Sequence, residues 1–216
     1  MAARLPRSFY ARSALHVAPD LLGRVLVRRL PGGARLAARI VEAEAYLPGD
    51  PASHAFIGMT RRNAVMFGPP GRLYVYFTYG HHWMMNAVTG DDGEGTAVLL
   101  RAAEPLEGLG EMAGHRGRED PRALCSGPGK LAQAFAVTGA HNGEDLVRGA
   151  SVWIERGEPV ASRRIARGPR VGVSVGYDKR WRFWESTNPF VSKGRPGPPP
   201  PRRRASPPAA SGPSRP

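Results

Sequence analysis

GRVLVRRLPGGARLAARIVEAEAYL, residues Gly23 to Leu47, consists of two β-like runs around a turn. GRVLVRRL alternates apolar and charged residues, Pro31-Gly32-Gly33 interrupts it, and ARLAARIVEAEAYL resumes the alternation. This pattern predicts a β-hairpin. Downstream, Arg72 to Tyr79 (RLYVYFTY) alternates, is aromatic and has no breaker before Gly80. It predicts a second strand, with His82 to Val88 returning beside it. TAVLLRAAE, SVWIER and RVGVSVG read as further strands. Short helices are expected at Pro19 to Gly23, around Arg62 to Met66, over PLEGLGEM from Pro105, and from Pro128 onward. The sum is an α+β domain with a curved, mainly antiparallel sheet, short surrounding helices and a protruding β-hairpin.

Composition sets the limits of that domain. The last 24 of the 216 residues, 193–216, hold 9 of the 22 prolines and no acid, aromatic or large aliphatic side chain. Such a segment cannot bury enough apolar surface to offset the entropy of ordering, so it is expected to be a disordered tail behind a domain of residues 1–192. The formal charge is +13, and the six basic residues of the tail leave 13 − 6 = +7 for the domain. A domain of that sign attracts polyanions, chiefly through counterion release from phosphates. Cys125 is the only cysteine, which excludes an intramolecular disulfide and a cysteine-based zinc site. No signal-peptide-like or bilayer-length apolar run is present, so a cytoplasmic location is expected.

The chemistry-bearing residues cluster between Arg39 and Asn86. On a strand, alternate side chains share a face, so Glu42, Glu44 and Tyr46 lie in one row at steps of roughly 6–7 Å. The row is either a solvated face whose acids pair with arginines or part of a reacting site. If it is a site, one acid is expected to act, because carboxyls flanking a glycosidic bond seldom come from one strand face. In LYVYFTYG, Leu73, Val75 and Phe77 should meet the core while Tyr74, Tyr76 and Thr78 face the other way. Tyr79 sits at the hairpin tip, where a ring has little to bury it and could act as a wedge between base pairs. His54 by itself reads as a loop histidine bonded to backbone, His81 and His82 lack carboxylate or thiolate neighbours at metal-ligand spacing, and no metal or cofactor is expected. SGPGK, residues 126–130, is too short for a phosphate-binding P-loop but could bring a helix N-terminus to a phosphate.

Taken in order, GRVLVRR, RIVEAEAY, His54, Arg62-Asn63, MFGPPGRLYVYFTYG, Met85-Asn86, VLLRAAEPLEG, LCSGPGKLAQA and RVGV resemble the alkyladenine (3-methyladenine, methylpurine) DNA glycosylase family. The resemblance runs from about Leu21 to Ser192. It implies a monofunctional enzyme, in the simplest case a monomer, that binds duplex DNA, turns a damaged purine out of the stack and hydrolyses its N-glycosidic bond. By position, Glu44 matches the family's general base, and Arg101 and the Val171 carbonyl match groups that hold the attacking water. Tyr46, His54 and Tyr76 match the pocket walls, Asn86 a position near the purine's minor-groove edge, and Tyr79 the residue that fills the vacated stack. The expected substrates are 3-methyladenine and 7-methylguanine, with hypoxanthine as a further candidate. Arg61 stands where the family usually has proline, and His81 to Met85 depart from its usual residues. Two other classes fit the residues alone: a nucleic-acid-binding module without catalysis, and a carbohydrate hydrolase using Glu42 and Glu44.

Overall fold

The computed structural model describes residues 3–78, 80–194 and 196–197. Two short helices, α1 (Arg7–Tyr10) and α2 (Ala14–Asp20), lead into β1 (Val25–Arg29) and β2 (Arg35–Tyr46). The hairpin strands β3 (Leu73–Thr78) and β4 (His82–Thr89) follow, then the long β5 (Thr96–Glu107). Helices α3 (Leu109–Arg116), α4 (Pro121–Leu124) and α5 (Pro128–Ala134) come next, and β6 (Val152–Glu155), β7 (Ile165–Gly168) and β8 (Arg182–Glu185) close the chain. All pairings are antiparallel, in the order β3-β4-β5-β2-β1-β6, with β8 joining β2 to β7. This is the expected α+β architecture, a curled antiparallel sheet with short helices around it.

Strand β2 holds the centre. One edge pairs with β5 along its length. The other pairs with β1 over Arg35 to Arg39 and with β8 over Glu42 to Glu44. Its side-chain phase changes midway. Leu36, Ala38 and Ile40 point into the main core, and so do Ala43 and Ala45. The switch from even to odd positions coincides with the register irregularity against β5 between Ile40 and Glu42. Such a bulge inserts one residue and inverts everything beyond it. Without it, Glu42, Glu44 and Tyr46 would continue the row begun by Leu36, Ala38 and Ile40.

Several local expectations need correction. The helix expected at Pro19 to Gly23 lies earlier: α2 begins after Ser13, whose hydroxyl accepts the Leu15 N–H, and Pro19 is inside it. Pro105 does not open a helix but stays in β5 opposite Ala38, beside a register shift that accommodates it. The break comes at Gly108, at φ +74°, where a Cβ would meet Leu36 Cδ2 at 2.4 Å. RVGVSVG is not a strand, because Gly172 (φ +76°) and Gly176 (φ +58°) turn the backbone away from extension. It is a loop with one isolated bridge, Val171 to Pro196. Phe77 does not meet the core and is 42% exposed, since β3 leaves the body of the sheet at that point. Tyr74, expected on the face turned away from the core, is buried with Met66, Val88 and Ala97.

Lys193, Gly194, Pro196 and Gly197 are the described part of the expected tail; the rest of it lies outside the described residues. Among the described residues, no helix is long and apolar enough to cross a membrane.

Candidate active site

The phase change in β2 sends Glu42 and Glu44 to a face that other segments seal. Both acids are fully buried, so the solvated-face reading of this row fails. Arg101 reaches them from β5. Its Nε donates to Glu42 Oε1 over 3.0 Å and its Nη1 to Glu44 Oε2 over 3.3 Å. The two acids differ in what remains open. Glu42 Oε1 takes three donors: Arg101, Arg182 Nε at 2.6 Å and Ser192 Oγ at 3.0 Å. Its Oε2 accepts the Ser192 N–H over 2.8 Å. Four donors engage Glu42, and Arg182 and Ser192 among them do not line the neighbouring cavity.

Glu44 has a lighter set of partners. Its Oε2 takes Arg101 and the Tyr46 hydroxyl, at 3.0 Å, and among the described residues its Oε1 takes only the Val171 N–H, at 2.8 Å. A carboxylate oxygen accepts about two hydrogen bonds, so Oε1 has a lone pair to spare for a water. Arg101 Nη1 also lies 3.5 Å from the Val171 carbonyl. Burial raises the Glu44 pKa, opposed by the Arg101 charge and the Val171 N–H and assisted by Glu42. For Arg101, burial works against the charge, and Glu44 and Glu42 outweigh it, raising its pKa.

A cavity of about 380 Å³ opens beside this cluster, a size typical of small-molecule pockets. Tyr46, Arg101 and Val171, which hydrogen-bond Glu44, line it, while Glu44 itself is buried. His54, Tyr76 and Asn86 line it as well, so every sequence-predicted pocket residue meets here. The His54 and Tyr76 rings touch edge to face, with centroids 4.3 Å apart, and Tyr74 lies 5.4 Å from Tyr76. His54 Nδ1 lies 2.9 Å from the Tyr74 hydroxyl. Desolvation, with Arg62 nearby, lowers the His54 pKa and favours its neutral form. Asn86 is buried, and its Nδ2 donates to the Tyr74 carbonyl over 3.2 Å. Burial and the Glu44 charge hold the Tyr46 phenol well above its usual pKa, so it donates and does not ionise. Tyr79, expected as the wedge, lies outside the described residues.

Other participants gave no signal in the sequence. Arg170 is fully buried and pairs with Asp50 through both of its Nη atoms, Nη2 to Oδ1 at 2.9 Å. It lies between the rings of Tyr46 and Trp181, 4.6 and 5.2 Å from their centroids. It also donates to the carbonyls of Ala45 and Gly176, which joins β2 to the 171–176 loop. These partners are 120 positions apart or more for Asp50 and Ala45, beyond any local pattern. Tyr74 could have been found, since it shares a strand face with Tyr76.

Comparison with known proteins gives consistent matches. The sequence profile described as methylpurine-DNA glycosylase (MPG) matches residues 8–189. A protein of Carboxydothermus hydrogenoformans, named "Putative 3-methyladenine DNA glycosylase", is 50% identical over 189 residues, covering 88% of this chain and 98% of its own. A protein of the same name from Rhodopseudomonas palustris is 51% identical, covering 88% and 91%. One from Chlorobaculum tepidum is 47% identical, covering 90% and 93%.

Proposed function

The chain belongs to the methylpurine-DNA glycosylase family and is a DNA repair glycosylase for alkylated bases, and from that premise we propose that it excises 3-methyladenine and 7-methylguanine, with hypoxanthine as a further substrate, from duplex DNA. The damaged nucleotide leaves the stack and its base enters the cavity beside Tyr46, His54 and Tyr76. Tyr79 occupies the space it vacates. The protein acts as a monomer and without a cofactor.

The observation that carries this reading is the buried Glu44 carboxylate, held by three cavity-lining residues, Tyr46, Arg101 and Val171, with one oxygen lightly engaged. Glu44 takes a proton from water as the water oxygen bonds to the sugar C1′. The C1′–N bond breaks and its electron pair departs with the purine. Arg101 and the Val171 carbonyl position the water, one donating to its oxygen and the other accepting its second hydrogen. The Glu44 charge also stabilises the oxocarbenium-like sugar.

Alkylation of a ring nitrogen makes the purine electron-poor and a better leaving group. Such a base stacks well on tyrosine faces. Arg170 covers one face of Tyr46, so the pocket uses the other. Asn86 stands where the 2-amino group of normal guanine would be disfavoured. The +7 domain charge supplies phosphate affinity.

The test is incubation of the protein in excess with duplex oligonucleotides carrying one 3-methyladenine, 7-methylguanine or deoxyinosine. Release of the base and an alkali-labile abasic site are expected. No release from any of the three would overturn the proposal.

A further inference from the structure

The three most exposed large apolar side chains among the described residues lie together on one loop: Ile57 at 77%, Met59 at 62% and Phe56 at 54%. The loop starts two residues beyond His54, which lines the cavity. Apolar side chains grouped this way in water mark a contact surface more often than a resting one.

The loop is built to hold them out. Asn63 is buried at its base. Its Oδ1 accepts from the Thr60 N–H (2.6 Å) and hydroxyl (3.0 Å), and its Nδ2 donates to the carbonyls of His54 (2.7 Å) and Gly58 (3.0 Å). Gly58, at φ +82°, makes the turn between Ile57 and Met59. Ala55 packs into the cluster that holds Tyr74 and Met66. The base of the loop is thus part of the pocket wall, and Asn63 braces the turn that carries the tip. Arg61 and Arg62 are exposed just beyond it, and Arg62 Nη2 donates to the Phe77 carbonyl at 3.0 Å, tying the loop to the hairpin. Val175, another cavity-lining residue, and Tyr177 are also exposed, so a second loop adds apolar surface near the same cavity.

Resting on the glycosylase reading above, we propose that the Phe56-Ile57-Met59 tip is a second apolar element that packs into the minor groove of the opened duplex beside the extruded nucleotide, with Arg61 and Arg62 on the flanking phosphates. Cations alone would suffice for an intact duplex, whose outer surface is phosphate and sugar. Apolar base faces become available only where a step is unstacked. The tip therefore favours the opened duplex over the undamaged one, while the arginines attract both.

Binding is measured, without any need for excision, on a duplex with a tetrahydrofuran abasic-site analogue and on the matching undamaged duplex. The triple variant Phe56→Ser, Ile57→Ser, Met59→Ser should keep the native melting temperature, because all three side chains are exposed. It should lose about tenfold or more in affinity for the abasic duplex. Affinity for the undamaged duplex, and the slope of log affinity against log salt, should hold. Ile57→Ser alone should show part of the same loss. Arg61→Gln or Arg62→Gln should instead weaken both duplexes and reduce the salt slope by about one. Unchanged abasic-duplex affinity in the triple variant, as expected if the tip serves a protein partner, would overturn the proposal, and so would an equal loss on both duplexes. A wild-type protein that prefers the abasic duplex yet excises nothing would instead sink the glycosylase reading of the pocket.

Discussion

The Val171 N–H donates to Glu44 Oε1 over 2.8 Å, across 127 positions of chain. One residue is on the central strand and the other on a glycine-bent loop, and this contact sets where the carboxylate points. The loop in turn is held by Arg170, whose guanidinium reaches Ala45 on the strand and Gly176 on the loop.

Glu44→Gln removes the proposed base while keeping the side chain's shape. Single-turnover excision should fall by about 10²–10⁴-fold, the usual contribution of a general base. Binding to the lesion duplex should persist. Wild-type rates in this variant would remove Glu44 from the role.

The excision rate should fall as pH falls through the Glu44 pKa, because the base works only when ionised. Burial raises that pKa, so the acid limb should lie above the usual carboxylate range near about 4. Arg101 is the largest opposing influence. Arg101→Gln should therefore move the limb to still higher pH, as well as slow the reaction. The depressed His54 pKa keeps its own titration below the ordinary histidine range, so it should add no limb near neutrality. A pH–rate profile whose limb moved to lower pH in Arg101→Gln would contradict this electrostatic account.

Asp50→Ala should destabilise the fold severely. Both side chains of the Asp50–Arg170 pair are fully buried, and breaking a buried pair on one side typically costs about 3–5 kcal/mol. Asp50→Ala with Arg170→Met removes both charges and should recover part of that loss. Denaturant unfolding of the single and double variants decides it; additive losses would mean the two residues are not coupled.

Cys125 should be inert in the folded protein. Burial pushes its pKa up to about 12, so the thiolate is scarce and the sulfur is out of reach. Reaction with a thiol-specific chromogenic reagent should be slow in native buffer and fast in denaturant. Fast labelling of the native protein would show that the Cys125 region opens readily.

The strands were legible where local pattern and pairing agree. The β1–β2 hairpin, the β3–β4 hairpin and the start of α5 at Pro128 all follow from alternation and breakers. Pattern misled where a glycine's sign of φ decides the outcome, as in RVGVSVG, or where a partner strand overrides a helix signal, as at Pro105. The strands β7 (IARG) and β8 (RFWE) went unnoticed because they lack the paired β-branched residues that mark the equally short VWIE of β6. At the site, the pocket residues came from ordered motifs, while Asp50, Arg170, Arg182 and Ser192 are joined only by contacts across the fold.

By itself the sequence determined the α+β class, the family and the grouping of acids and rings between Arg39 and Asn86. Alternation, composition and motif order are local properties that one chain displays without folding. Only the tertiary structure decided which face of β2 the acids occupy, because a one-residue register shift at Val41 inverts the strand's phase. It also separated Glu42 from Glu44. The two acids are the same residue two positions apart, and they differ only in how many donors distant segments bring to each oxygen.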